Sequence, residues 1–405
     1  MARKKIREYD AKRLIAENID LELEIKSILV DETTNLNSLE PQTQPWLAQP
    51  LVVKPDQLFG QRGKQGLVLV NSTLDQVKSF IKENLNKEII IGNTKDKLTH
   101  FLIEPFITHE KEYYLSFLSE RNSDVIYFGE EGGINVEENW AKVKKIIVPT
   151  NTTPDFEEID DGNIKIFVKS LYQVFKNLDF TYLEINPFTI KDEKIYLLDT
   201  VAILDSNASF LQQKTWKNLP FPKPFGKRSF PEEDYIEQLD ENSGASLKLT
   251  VLNPQGRIWN ILGGGGASVI YLDMIANLGK GEDIGNYGEN SGNPSTQESY
   301  EYAKTILKLM LKGKGKILFI AGGIANFTDI KDTFTGIIRA LEEYGEKLKE
   351  NNISIYVRRG GPNWEQGLKL IKETGERLGI PMTVKGPETS LPEIIGIAKD
   401  KLNQL

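Results

Sequence analysis

Residues 257–268 read Arg-Ile-Trp-Asn-Ile-Leu-Gly-Gly-Gly-Gly-Ala-Ser, an apolar run that stops at four glycines before a second apolar stretch begins. A short apolar run bounded by glycine predicts a buried strand at 257–262, and the spacing after it predicts a helix over 268–278. The same unit recurs downstream. Strands are expected at 317–321, 354–357 and 382–384, each ending in or running into glycine, with helices at 299–311, 330–348 and 364–378. Strand, glycine turn and helix in repetition predict an α/β, doubly wound parallel sheet.

In open sheets of that kind, ligands bind beyond the carboxyl ends of the strands. Three such ends carry chemistry suited to an anion. The Gly263–Gly266 run would bring free amides and the positive end of a helix dipole to a ligand, although a flexible connection without a ligand reads the same way. The next end offers Asn326 and Thr328, and the third offers the paired guanidiniums of Arg358 and Arg359, which can fork onto a carboxylate. No strand is followed by GxGxxG with an acidic residue about twenty positions on, which excludes a dinucleotide fingerprint. These residues point to a polycarboxylate or phosphate site.

Upstream the pattern is irregular. Strands are expected at 51–53, 67–70, 101–106, 113–118, 125–128, 181–185 and 195–198, with helices at 74–85 and 164–178, a mixture that suggests an α+β domain. A proline-rich stretch at 220–231 reads as a linker, so the domains are expected at 1–235 and 236–405.

The 405 residues are 39% hydrophobic and 27% charged, which suits two or three soluble domains. A net charge of −8 argues against a nucleic-acid binder, and the lack of any cysteine excludes disulfides and thiolate chemistry. The basic start Met1-Ala-Arg-Lys-Lys is not followed by an apolar segment, and no run approaches membrane-spanning length, so a cytoplasmic protein is expected.

Two first-half motifs carry chemistry. Lys54 ends an apolar run and precedes Gly60-Gln-Arg-Gly-Lys-Gln-Gly66, a loop whose amides, Arg62 and Lys64 suit a polyphosphate; a glycine-rich surface hairpin is the alternative. It is not a GxxxxGK[ST] loop. Glu184, Asn186 and Asp199 sit on or near strand ends as hard oxygen donors of the kind Mg²⁺ takes, or else face solvent.

Taken in order, Lys54, Arg62-Gly63, Ile103-Glu-Pro-Phe-Ile107, Glu130-Glu-Gly-Gly133, Leu183-Glu-Ile-Asn-Pro187 and Leu198-Asp199 resemble ATP-grasp domains, as does the opening Glu8-Tyr-Asp-Ala-Lys12. Ser243-Gly-Ala-Ser-Leu-Lys, Gly264-Gly-Gly-Ala-Ser268, Asn286-Tyr-Gly-Glu289, Ile324-Ala-Asn-Phe-Thr328 and Val357-Arg-Arg-Gly-Gly-Pro-Asn363 narrow the resemblance, over nearly the whole chain, to the ATP-citrate lyase family. It implies an ATP-grasp domain followed by a flavodoxin-like CoA-ligase domain. Lys54, Arg62 and Gly63 would hold ATP phosphates, Pro105 and Ile107 the adenine, Glu112 the ribose, and Asn186 and Asp199 Mg²⁺, with Asp199 also counted among the ATP residues. Asp240 and Ser243 would add a further metal contact. Gly264, Gly265, Gly292, Asn326, Thr328, Tyr344 and Arg359 would form the citrate site.

The resemblance also implies a phosphohistidine intermediate and CoA as cosubstrate. The only histidines are His100 and His109, and neither stands at a glycine turn opening a helix. Both are expected to be surface residues without a catalytic task. A larger partner subunit carrying the phosphohistidine, CoA-binding and citryl-CoA lyase domains is therefore expected, in a hetero-oligomer. Citryl-CoA synthetase, succinyl-CoA synthetase and a non-catalytic ATP/citrate sensor remain alternatives.

Overall fold

The structure is a computed structural model that describes residues 3–92, 94–133, 136, 140–227 and 230–405. The chain forms two compact units, residues 1–227 and 228–405. Within the expected linker, Arg228 and Ser229 lie outside the described residues. The helix Pro231–Glu241, opened by its proline and three first-turn acids, belongs to the second unit, and a boundary at 235/236 would fall inside it.

Among the described residues, the first unit contains two main sheets with separate cores and a two-stranded pair, Glu88–Ile91 with Thr94–Lys97. The larger is antiparallel throughout, in the order Arg3–Ile6, Thr200–Asp205, Phe180–Lys191, Tyr113–Ser119, Ser123–Gly129, Lys144–Pro149, and Lys194–Leu197 pairs with the far part of the long strand. Helices Glu8–Asn18 and Gly162–Asn177 bury Leu14, Ile15, Phe167, Leu171 and Phe175 against it. The Asp161 carboxylate starts the second of these by accepting from the Asn163 and Ile164 amides. The smaller sheet runs Ile28–Val30, Phe101–Pro105, Leu51–Pro55, Leu69–Ser72, with helix Leu74–Asn84 placing Val77 and Ile81 in its core. A Thr73–Gln76 capping box fixes the start of that helix.

In the second unit a four-stranded parallel sheet runs Ile258–Gly263, Ile317–Ile324, Ser354–Gly360, Met382–Lys385. Helices Thr296–Lys312, Ile330–Glu343 and Trp364–Leu378 cover one face; Gly265–Ile275 and Leu391–Ile397 cover the other. The expected helix over 330–348 is two helices, Ile330–Glu343 and Gly345–Glu350.

Two strands that the alternation did not reveal, Ser246–Val251 and Asn286–Ser291, form an antiparallel pair. Asn286–Ser291 adjoins the first parallel strand through a parallel bridge between Ile258 and Ile284 and through two fully buried asparagines. The Asn286 side chain accepts the Asn260 amide at 2.8 Å and donates to the Asn260 carbonyl at 2.9 Å, substituting for ladder bonds. The strand order therefore reverses around Ile258–Gly263, which creates a switch point at the carboxyl ends of these strands. Among the described residues no helix is long and apolar enough to cross a membrane.

Candidate functional site

Residues from both sheets of the first unit line a cleft of about 1280 Å³. Lys54, Arg62, Gly63, Pro105, Ile107, Glu112, Asn186 and Asp199, scattered along the sequence, all line it. Their places in the sheets explain how: Lys54 is the penultimate residue of Leu51–Pro55, Pro105 ends the neighbouring strand, and Asn186 lies in the long strand of the other sheet.

The cations there form a buried network. Lys54 Nζ donates to Glu8 at 2.6 Å and to the Leu198 carbonyl at 2.7 Å, and pairs with Glu104 at 3.3 Å. The Arg62 guanidinium reaches Glu8 at 2.8 Å, the Pro55 carbonyl at 2.9 Å, and Asp199. Lys12, fully buried, pairs with Glu8 and Glu104 at 2.8 and 2.7 Å. Burial pushes the Glu8 carboxyl up, but Lys12, Lys54 and Arg62 outweigh it and hold it well below its usual value. Burial lowers the Lys54 and Arg62 values; Glu8 with Glu104 and Asp199 overcomes that and raises Lys54, and Glu8 with Asp199 raises Arg62. Asp56 caps the helix that carries Glu8, accepting the Glu8 and Tyr9 amides at 2.9 and 3.0 Å; burial and then the Glu8 charge push it up to about 6. Sequence reasoning assigned no role to Glu8, Lys12 or Glu104. The available signal was Glu8-Tyr-Asp-Ala-Lys12, whose first and last residues share one helix face.

Oxygen donors occupy another wall. Asn186 Oδ1 accepts the Gly133 amide at 2.8 Å, and Glu184 accepts the Tyr182 hydroxyl at 2.5 Å. Glu184, Asn186 and Asp199 are hard donors facing a cleft that also presents cations, a set that fits Mg²⁺ completed by water and phosphate oxygens. Among the described residues no cluster of three or more His, Cys, Asp or Glu side chains could by itself hold a metal ion. Asp240 and Ser243 lie in the second unit. Asp240 accepts the Leu247 amide at 2.7 Å and pairs with Lys248, while Ser243 Oγ accepts the Ala245 amide at 2.9 Å, so the free oxygens expected of metal ligands are engaged locally.

Neither histidine is a plain surface residue. His100 is half-buried between Arg7 at 3.1 Å and the Thr99 hydroxyl at 2.9 Å; burial and then Arg7 lower its pKa. His109 lines the cleft, with Nδ1 2.7 Å from the Ile107 carbonyl and Nε2 2.8 Å from Glu112. The missed signal was its position two residues beyond Ile107.

At the carboxyl ends of the second unit's strands two groups form: Arg359 lies against Gly263, next to the helix start at Gly264–Gly265, and the turn at Gly292 is tied to the turn at Thr328. The two guanidiniums of Arg358 and Arg359 engage different carbonyl groups at the strand ends. Arg358 donates to the carbonyls of Thr389, Gly322 and Pro387 at 2.7, 2.7 and 3.2 Å, while Arg359 Nη1 lies across the strand ends and donates to Gly263 and Gly323 at 2.9 and 3.1 Å. Glycine is required there: a Cβ at Gly263 would come within 2.3 Å of the Arg359 guanidinium, and one at Gly322 within 2.1 Å. Arg359 is 4% exposed, and among the described residues it has only carbonyl partners. Burial brings its pKa down to about 10, with the Arg358 charge acting in the same direction.

Helix Gly265–Ile275 begins beside it with no capping side chain, its Ncap Gly264 at φ +95°. The Asn293 amide donates to Thr328 Oγ1 at 3.2 Å and its side chain accepts the Asp329 amide at 2.9 Å, clipping the Gly292 turn to the Thr328 turn. Asn326 is exposed on the same turn. Tyr344 is not brought to this group. It follows helix Ile330–Glu343, which Thr328 precedes, and 14 residues of helix separate the two by about 20 Å.

Residues 2–216 match the ATP-citrate synthase ATP-grasp domain family, and residues 227–401 match the ATP citrate lyase citrate-binding family. The chain is 48% identical to ATP-citrate synthase alpha chain protein 2 of Oryza sativa, covering 97% of each protein. It is 46% identical to the ATP-citrate synthase of Homo sapiens, where the match takes in 88% of this chain and 34% of that one. A solved ATP citrate lyase from Methanothrix soehngenii, in complex with citrate and coenzyme A, superposes with a TM-score of 0.89 at 43% identity, covering 98% of this chain and all of that one.

Proposed function

The chain belongs to the ATP-citrate lyase family, and from that premise we propose that it is the ATP- and citrate-binding subunit of an enzyme whose catalysis is completed by a partner chain. Mg-ATP occupies the cleft of the first unit. Lys54, Arg62 and the Gly60–Gly66 amides hold the phosphates, Pro105 and Ile107 the adenine through backbone groups, and Glu112 the ribose. Asn186 and Asp199, with Glu184, would hold Mg²⁺, which supplies charge neutralisation at the phosphates.

The γ-phosphoryl group passes to a histidine nitrogen of the partner, releasing ADP, and then to a citrate carboxylate, giving citryl phosphate. The CoA thiol displaces phosphate to form citryl-CoA, and the partner's lyase domain cleaves this to acetyl-CoA and oxaloacetate. On this chain Arg359, the Gly264–Gly265 amides, Gly292, Asn326 and Thr328 hold citrate and orient the carboxylate that is phosphorylated.

One observation carries the citrate reading: Arg359 is a buried cation without a counter-ion, laid over glycine at a switch point beside an uncapped helix N-terminus. Burying a charge without a partner costs several kcal/mol, and a polycarboxylate offsets that cost on binding. The test uses γ-labelled ATP. This chain alone should acquire no acid-labile phosphate; with its partner, label should appear on the partner and leave it when citrate is added. Label retained on His100 or His109 would overturn the division of labour.

A further inference from the structure

His109 has a place in the nucleotide cleft that the reaction scheme does not use. The Phe106 amide donates to the Pro50 carbonyl at 2.8 Å, which fixes which edge of this segment faces the neighbouring strand. Backbone groups alternate along an extended chain, so the Pro105 carbonyl and the Ile107 amide face the opposite edge. That edge is paired with Ile28–Val30 only as far as Ile103, and Pro105 and Ile107 beyond it line the cleft. Proline has no N–H to offer, so this edge presents an acceptor at 105, a donor at 107 and, in the Ile107 carbonyl, a second acceptor.

His109 Nδ1 lies 2.7 Å from that second acceptor, a carbonyl that can only accept, so Nδ1 is the donor in this bond. Its Nε2 is held 2.8 Å from Glu112, which fixes the ring from its other side. An acceptor followed by a donor complements the adenine edge, with its N6–H₂ donor and N1 acceptor. Guanine presents an O6 acceptor and an N1–H donor. It would fit one step along, with O6 on the Ile107 amide and N1–H on the Ile107 carbonyl, if that carbonyl were open. We propose that His109 sets the purine preference of the cleft: by occupying the Ile107 carbonyl it removes the guanine register and leaves the adenine register intact. His109 is a positioning residue, since it acts through the Ile107 peptide. The proposal rests on the assignment of this cleft to ATP.

The test is equilibrium binding of Mg-ATP and Mg-GTP to the full 405-residue chain and to three variants. The unsubstituted chain should prefer ATP by at least about 100-fold, the scale on which a polar mismatch is rejected. His109→Ala should narrow that ratio by about tenfold, mainly through tighter GTP binding, with ATP affinity held within about threefold as its own control for folding. His109→Gln, which can still reach Glu112, should behave like alanine. His109→Asn, whose amide falls where Nδ1 stood, should keep the original ratio. An unchanged ratio in His109→Ala with ATP binding intact, or equal binding of both nucleotides by the unsubstituted chain, overturns this proposal alone. Absence of any nucleotide binding by the unsubstituted chain overturns the cleft assignment and this proposal with it.

Discussion

The two ligand regions solve the problem of holding a cation in opposite ways. At and beneath the cleft of the first unit, Lys12, Lys54 and Arg62 are matched by Glu8, Glu104 and Asp199 before any ligand arrives. At the switch point of the second unit, Arg359 is buried with carbonyl dipoles as its partners. The first site is balanced, so an incoming phosphate must exchange partners with a carboxylate. The second is short of negative charge, so an incoming polycarboxylate completes it. The opposite displacements of the Arg62 and Arg359 pKa values, upward and downward, express the same difference.

Removing the carboxylate at the centre of the balanced site should have the largest effect. Glu8 serves Lys12, Lys54 and Arg62 together, and Glu8→Ala leaves buried cations short of their shared partner. Loss of one side of a buried pair costs about 3–5 kcal/mol, which urea unfolding of the full chain should show as an earlier first transition. A change below about 1 kcal/mol would mean that the network is not holding the fold together.

At the unbalanced site the same kind of deletion should leave the fold unharmed. Arg359→Met removes a buried charge with no counter-ion, so unfolding stability should hold or rise while citrate affinity falls by two to three orders of magnitude, about 3–4 kcal/mol. Calorimetry with citrate alongside urea unfolding separates the two. Loss of stability with citrate binding retained would remove Arg359 from the site.

Asp56 gives the balanced site a pH dependence. Its folded value, about 6, lies above its unfolded value, so between pH 4 and 6 the folded state binds more protons than the unfolded chain. This group therefore adds stability below pH 4 and withdraws it as pH rises through 6, on the order of 3 kcal/mol. Glu8 acts in the opposite sense: its lowered value adds stability above the ordinary carboxylate range and loses it as pH falls further. Melting of Asp56→Asn against the unsubstituted chain over pH 4–7 should show a flatter profile for the variant. Parallel profiles would leave Asp56 as a cap alone.

What the sequence disclosed follows the same division. The parallel sheet was legible because glycine turns punctuate a strand–helix alternation at 257–268, 317–328 and 354–363, and that Lys54, Arg62, Pro105, Asn186 and Asp199 belong together was legible from their order along the chain. The strand Asn286–Ser291 was not, because the positions it buries are Asn286, Gly288 and Asn290 rather than apolar residues, and asparagine side chains replace part of its ladder. Glu8 and Lys12 were hidden because their role is visible only once Lys54, 46 positions away from Glu8, folds against them. His109 was misplaced because a polar loop and a cleft wall look alike until Ile107 and Glu112 are brought to the ring.

The smallest expected effect tests how the balanced site opens. Asp199 is the most accessible member of the network, its side chain 39% exposed against 10% for Arg62, so their pairing is screened and contributes at most about 1 kcal/mol to folding. Its importance lies in exchange. To engage a phosphate, Arg62 must release Asp199, and Asp199 is then free to face a divalent cation. Asp199→Asn keeps the shape but removes the charge that both partners use. Mg-ATP affinity should fall about tenfold, while ATP binding without Mg²⁺ should hold or tighten, because Arg62 is already released. Fluorescence or calorimetric titration with and without Mg²⁺ measures both arms. Equal losses in the two would show that Asp199 contributes shape rather than charge, and the exchange would then have to begin at Glu8.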